Sequence, residues 1–143
     1  MEIRNLSDDE YESFLLEKEY AVVLFDAPWD VGGGAAIRPR FERAASAFAD
    51  RVNFGEVNCD EQIRVPGTIK IVNVPTVAYY KGGVLVAALI GYAQDVTGRT
   101  EAMLNGRRIG YKDRWNLDDE GKTLFPARKP SFLGRLIHRY FGR

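Results

Sequence analysis

The feature that most constrains the fold is a run of five apolar residues, Ala21-Val22-Val23-Leu24-Phe25. It is short, rich in β-branched side chains and does not alternate with polar residues. As a strand it therefore has to be covered on both faces, as in the middle of an α/β sheet. A chain that contains such a strand must supply further strands beside it and helices above and below it.

The neighbouring segments read as those parts. Ser7-Asp8-Asp9-Glu10 has the form of a capping box, with Leu6 and Tyr11 placed for a hydrophobic staple. Tyr11, Phe14 and Leu15 follow at helical spacing, so a helix is expected from about Asp8 to Glu17. Gly32-Gly33-Gly34 interrupts the pattern and is expected as a loop. Beyond Pro39, the residues Phe41, Ala44, Ala45 and Phe48 mark one face of a second helix, with Pro39 near its start.

Val52 to Cys59 reads as another strand. Gln62 to about Ile71 carries the breaker pair Pro66-Gly67 and permits a short or broken helix. Thr76–Tyr80 and Val84–Ile90 are β-rich runs joined by Lys81-Gly82-Gly83, a strong hairpin signal. Asp95 to Leu104 predicts a last helix, weakened by Gly98. The expected order is α-β-α-β-(α)-β-β-α, a mixed sheet with flanking helices.

At 143 residues with 45% hydrophobic content, the chain fits one domain with a full core. Formal net charge is +0, so no global field draws it to nucleic acid, and no nucleic-acid partner is expected. Cys59 is the single cysteine, which excludes an intramolecular disulfide, and no Cys/His cluster suggests a metal. Neither a metal nor a cofactor is expected. The opening residues carry no apolar leader and no stretch is long enough for a membrane span, so the cytoplasm is the expected compartment.

Residues 105–143 change character and are read as a C-terminal extension of a 1–104 domain. The polar stretch from Asn105 holds isolated anchors at Tyr111, Trp115, Leu117, Leu124 and Phe125. It ends in about 131–141, where Phe132, Leu133, Leu136, Ile137, Tyr140 and Phe141 recur at helical spacing beside Arg135, His138 and Arg139. An amphipathic basic helix that packs on protein, or else on a membrane surface, is expected there.

Several motifs together resemble the thioredoxin and protein disulfide isomerase family. Leu24-Phe25-Asp26-Ala27-Pro28-Trp29 is similar to the strand end that precedes the family's Cys-x-x-Cys. Val57-Asn58-Cys59-Asp60 resembles the end of its next strand. Val74-Pro75-Thr76 and Tyr79-Tyr80-Lys81-Gly82-Gly83 resemble its cis-proline loop and hairpin, and Gly91 matches a glycine after its last strand. The match runs from about Ile3 to Leu104 and implies a thioredoxin-like α/β fold.

The departures carry the functional reading. By this resemblance Asp30 falls on the nucleophilic cysteine's position, Gly33 on the resolving cysteine's, and Leu24 on that of the buried acid that assists proton transfer. The stretch from Trp29 to Pro39 is also one residue longer than the family's. Disulfide exchange requires a thiolate, so a protein without this enzymatic activity is expected.

The resemblance further implies that the backbone before Pro75 can hold an extended segment as an added strand would. A protein- or peptide-binding module, chaperone-like or adaptor, is expected around Trp29, Asp30, Gly32, Gly33, Val74, Pro75 and Thr76. The alternatives are a glutathione or anion site at the glycine-rich loop, supported by Arg38 and Arg40, and a membrane-surface adaptor acting through the basic tail. Asp30 otherwise reads as a capping or solvated acid, Cys59 as core packing and His138 as a surface residue.

Overall fold

The strand built from the apolar run stands at the centre of the sheet. A computed structural model describes residues 3–28, 31–69, 71, 73–107 and 109. In chain order the elements are β1 (Ile3–Asn5), α1 (Tyr11–Leu15), β2 (Tyr20–Asp26), α2 (Val31–Phe48) and β3 (Val52–Asn58), then α3 (Arg64–Thr68), β4 (Thr76–Lys81), β5 (Val84–Ile90) and α4 (Val96–Leu104). The five strands lie in the order β1-β3-β2-β4-β5. β2 is parallel to β3, with Val22 opposite Phe54, and antiparallel to β4, with Val23 opposite Ala78.

Alternation along β2 divides the core in two. Ala21, Val23 and Phe25 face Tyr11, Phe14 and Leu15 of α1, with Val65 and Ile69 at α3. Val22 and Leu24 face Ile37, Phe41, Ala44 and Ala45 of α2, with Val96 and Met103 of α4. Each fully buried Val, Leu or Phe contributes about 1.5–3 kcal/mol, which explains why this run sits in the middle. Past α4, Ile109 is buried in the second cluster.

Most expected elements are present, with three corrections. The glycine triplet is not a loop: α2 begins at Val31, so Gly32, Gly33 and Gly34 lie in it and Pro39 is inside the helix rather than at its start. Burial of Ile37, Phe41, Ala44 and Ala45 fixes the helix and outweighs a glycine penalty of about 1 kcal/mol per residue. The first helix is shorter than expected, Tyr11–Leu15, because residues 8–10 form a turn. Glu10 does reach back to the Ser7 amide at 3.0 Å, half of the expected box. The third correction is β1, which pairs with β3 at the sheet edge and had no counterpart among the expected strands.

The hairpin closes through Gly82 and Gly83, at φ 60° and 76°. Successive left-handed residues match a tight two-residue connection, and glycine adopts them without a Cβ clash. No helix among the described residues is long and apolar enough to cross a membrane. The tail residues Phe132, Leu133, Leu136, Ile137, Tyr140 and Phe141 lie outside the described residues, as do Trp29 and Asp30.

Candidate functional site

Three strand ends meet at one end of the sheet. Asp26 of β2 is opposite Asn58 of β3, and Phe25 of β2 is opposite Thr76 of β4. α2 follows β2 here, the loop to α3 follows β3, and the Val74-Pro75 loop enters β4. Crevices outside the carboxyl ends of parallel strands are the usual binding places of α/β folds.

The Val74–Pro75 peptide bond is cis. The turn is tied on both sides. Thr76 donates its hydroxyl to the carbonyl of Asn73 at 2.6 Å, and Gly91 donates its amide to the carbonyl of Pro75 at 3.1 Å. Among the described residues, neither backbone group of Val74 has a hydrogen-bond partner. Buried Gln94 braces the adjoining loop by donating to the carbonyls of Leu89 and Gly91 at 3.0 and 2.9 Å, and it accepts from the Tyr79 hydroxyl.

Beside this turn an open groove of about 490 Å³ runs between the β3–α3 loop and the segment leading to β4. Among the described residues, Cys59, Ile63, Pro66, Ile71 and Val74 form its apolar lining, and Asp60 is the charged one. Its outer wall is secured from far away in sequence. The carboxylate of Asp8 accepts the amides of Ile63, Arg64 and Val65, and the Asp8 amide donates to Gln62. Arg64 donates to the carbonyl of Asp8 and lies 3.7 Å from Glu12. Burial opposes ionisation of Asp8, but the three amides and Arg64 outweigh it and hold its carboxyl below the ordinary range.

Two large apolar side chains are exposed among the described residues, Ile63 at 75% and Tyr92 at 56%. Both belong to segments that meet the Val74-Pro75 turn: Ile63 shares the groove with Val74, and Tyr92 follows Gly91, which is bonded to Pro75. Neither was among the residues expected from sequence. Ile63 is a single isoleucine in an otherwise polar stretch, a pattern that signals nothing by itself.

Cys59 is half-buried on the groove floor, and its amide donates to Asp26 at 2.8 Å. Burial, with the carboxylates of Asp26 and Asp60, pushes its thiol up to about 11, away from reactive thiolate character. Arg38, one of the two arginines that favoured an anion site, is engaged with Glu56 at 2.8 Å. Leu24, on the position of the family's buried acid, is completely buried among hydrocarbon. Of the residues expected at the site, Val74, Pro75 and Thr76 form the turn, while Gly32 and Gly33 lie in the first turn of α2.

The family model described as Thioredoxin matches residues 2–100. The chain belongs to the thioredoxin family. Thioredoxin M4, chloroplastic, of Arabidopsis thaliana is 36% identical over 92 residues, which are 64% of this chain and 47% of that protein, so the chain spans about half of it. Thioredoxin of Acidithiobacillus ferridurans is 33% identical over 87 residues, covering 60% of this chain and 80% of the relative. A solved structure of Plasmodium falciparum thioredoxin is similar with a TM-score of 0.62 and 26% identity, over 73% of this chain and 98% of that one. This chain thus carries the thioredoxin architecture with a single cysteine.

Proposed function

We propose that this protein is a redox-inactive thioredoxin-family module that holds an extended polypeptide segment across the Val74-Pro75 turn. The observation that carries the reading is the pairing of a Val74 backbone that bonds to none of the described residues with exposed Ile63 and Tyr92 on the segments beside it. Backbone groups provide strand-like hydrogen bonds, and the apolar side chains provide pockets for alternate residues of the guest. The groove lining is mainly apolar, which suits a chaperone-like or adaptor role better than a polar metabolite. Asp30 and Gly33 on the positions of the two cysteines, with buried Leu24, support the absence of disulfide exchange.

The test is titration of the ¹⁵N-labelled protein with a synthetic extended peptide of alternating Val and Thr. Saturable shifts at the amides of Ile63, Val74, Thr76 and Tyr92, weakened by Ile63→Asp, are expected. Shifts confined to the first turn of α2, obtained with glutathione or phosphate and not with peptide, would replace this reading with an anion site.

A further inference from the structure

We propose that Asp8 is the positioning residue of the polypeptide groove, and that the turn which carries it controls whether the groove's outer wall stands ready for a guest. The inference rests on the groove being a polypeptide site and names the residue that keeps it formed.

The wall lacks the means to hold itself. α3 has 5 residues, contains Pro66 and Gly67, and begins at a cap residue, Ile63, that makes no side-chain cap. A helix of one turn is far shorter than the roughly 12–15 residues needed for stability alone in water. The amides of Ile63, Arg64 and Val65 donate to the Asp8 carboxylate at 3.2, 3.0 and 2.9 Å, and have no backbone acceptor among the described residues. The Asp8 amide donates to the Gln62 side chain at 2.8 Å, and Arg64 donates to the Asp8 carbonyl. Every wall residue from Gln62 to Val65 thus hangs on Asp8.

Asp8 itself stands on a frame tied to the sheet. Leu6 is buried and donates its amide to the carbonyl of Glu56 in β3 at 2.8 Å. The Glu10 carboxylate accepts the amide and the hydroxyl of Ser7 at 3.0 and 3.2 Å, and the Glu10 amide donates to the Ser7 carbonyl at 3.1 Å. Leu6, Ser7, Asp8 and Glu10 all stand outside the groove lining.

What this frame positions is Ile63, the apolar side chain exposed on the wall. Such a side chain serves a guest fully only when the backbone beneath it is already in place; otherwise binding has to order the wall as well. If loss of Asp8 leaves the wall in place about a tenth of the time, the apparent Kd rises about tenfold although no contact with the guest is removed.

The test reads the wall and the guest separately in the full chain. Hydrogen exchange at the Gly67 and Ile69 amides reports the wall, because these donate to the carbonyls of Ile63 and Val65 rather than to Asp8. The amides of Val22 and Val23 in central β2 report global opening. Titration with the extended Val/Thr peptide reports the guest. Asp8→Ala is expected to strip protection from Gly67 and Ile69, leave Val22 and Val23 protected, and weaken the peptide about tenfold. Asp8→Asn, whose amide oxygen still accepts, should restore most of both. Glu10→Ala should weaken the peptide about threefold alone and add nothing in Asp8→Ala, because both act through one frame. Thr100→Ala, a core truncation in α4 on the other face of the sheet, is the control for lost stability and should leave the Kd unchanged.

Protection kept at Gly67 and Ile69 in Asp8→Ala overturns the proposal. So does an unchanged Kd where protection is lost, and the groove then remains a polypeptide site that does not need its wall. Equal weakening by Thr100→Ala overturns it in favour of a general loss of stability, and additive effects of Asp8→Ala and Glu10→Ala overturn the role of the turn. If wild type fails to bind the peptide while Asp8→Ala still releases the wall, the polypeptide reading falls and takes this role of Asp8 with it.

Discussion

The carboxylate of Asp8 caps α3 from 57 positions away, accepting the Val65 amide at 2.9 Å. A cap is ordinarily supplied by the residue just before a helix. Here Ile63 holds that place with no side chain able to accept, and a distant aspartate substitutes for it. The groove wall is thereby bolted to the segment before α1.

Replacing Asp8 with alanine should lower stability by about 1–2 kcal/mol, measured by urea denaturation. Asp8→Asn should retain most of that, since the amide oxygen still accepts. Its carboxyl is held below the ordinary 3.8, so the charge-dependent stabilisation is complete above that value. It disappears as pH falls through the lowered value. The stability gap between wild type and Asp8→Asn should therefore be flat from pH 7 to 5 and narrow only in stronger acid.

Cys59 should show the opposite pH behaviour. With the folded thiol near 11 and the unfolded one near 9.0, the folded state binds the proton more tightly. Stability from this group is complete below pH 9 and is lost as pH rises through 11. At pH 8 its thiolate population should be about a hundredfold below that of a free cysteine. An alkylation profile that levels off near pH 9 would contradict the burial described.

The hydroxyls of Tyr11 and Tyr80 meet at 2.6 Å inside the core, joining α1 to β4. Tyr11→Phe alone leaves the Tyr80 hydroxyl buried without its partner and should cost about 1–3 kcal/mol. The double variant Tyr11→Phe/Tyr80→Phe should cost less than the sum of the two singles. Thermal denaturation of the four proteins in a double-mutant cycle measures this coupling.

Gly55 lies under α1, where an added Cβ would stand 2.7 Å from Leu6 Cδ1 and 2.9 Å from Phe14 Cζ. Gly55→Val should therefore destabilise by about 1–3 kcal/mol through overpacking, despite the higher strand propensity of valine. Gly67→Ala, where a Cβ meets nothing within 4 Å, is the control and should be mild.

Insulin reduction with dithiothreitol or a thioredoxin reductase should proceed at the background rate. Turnover above background that disappears in Cys59→Ser would reassign Cys59 as a working nucleophile.

The readable parts of the fold are those whose signal is local. β2, β3 and the hairpin follow from apolar runs and a Gly-Gly connection, and Asp95 caps α4 through the Gly98 amide within three residues. The glycine triplet misleads because its propensity is local while the burial that makes it helical, at Phe41 and Ala45, is tertiary. The site divides the same way. The Val74-Pro75 turn is visible through family resemblance, but the groove wall is not, because Ile63 is held in place by Asp8, 55 residues earlier. β1 escapes notice because three residues carry too little pattern, and its pairing partner lies beyond residue 50.

Leu24 sets a cost on any carboxylate at its position. It sits at 0% exposure between Ile37, Phe41 and Val77 in a core of hydrocarbon. Installing cysteines at 30 and 33 would supply a thiol pair but no carboxylate at position 24. Adding Leu24→Asp would bury an uncompensated carboxylate at about 3–5 kcal/mol, a large part of the 5–15 kcal/mol by which a domain is usually stable. The side chain at position 24 thus ties what this end of the sheet can do chemically to how the α2 face of the core is packed.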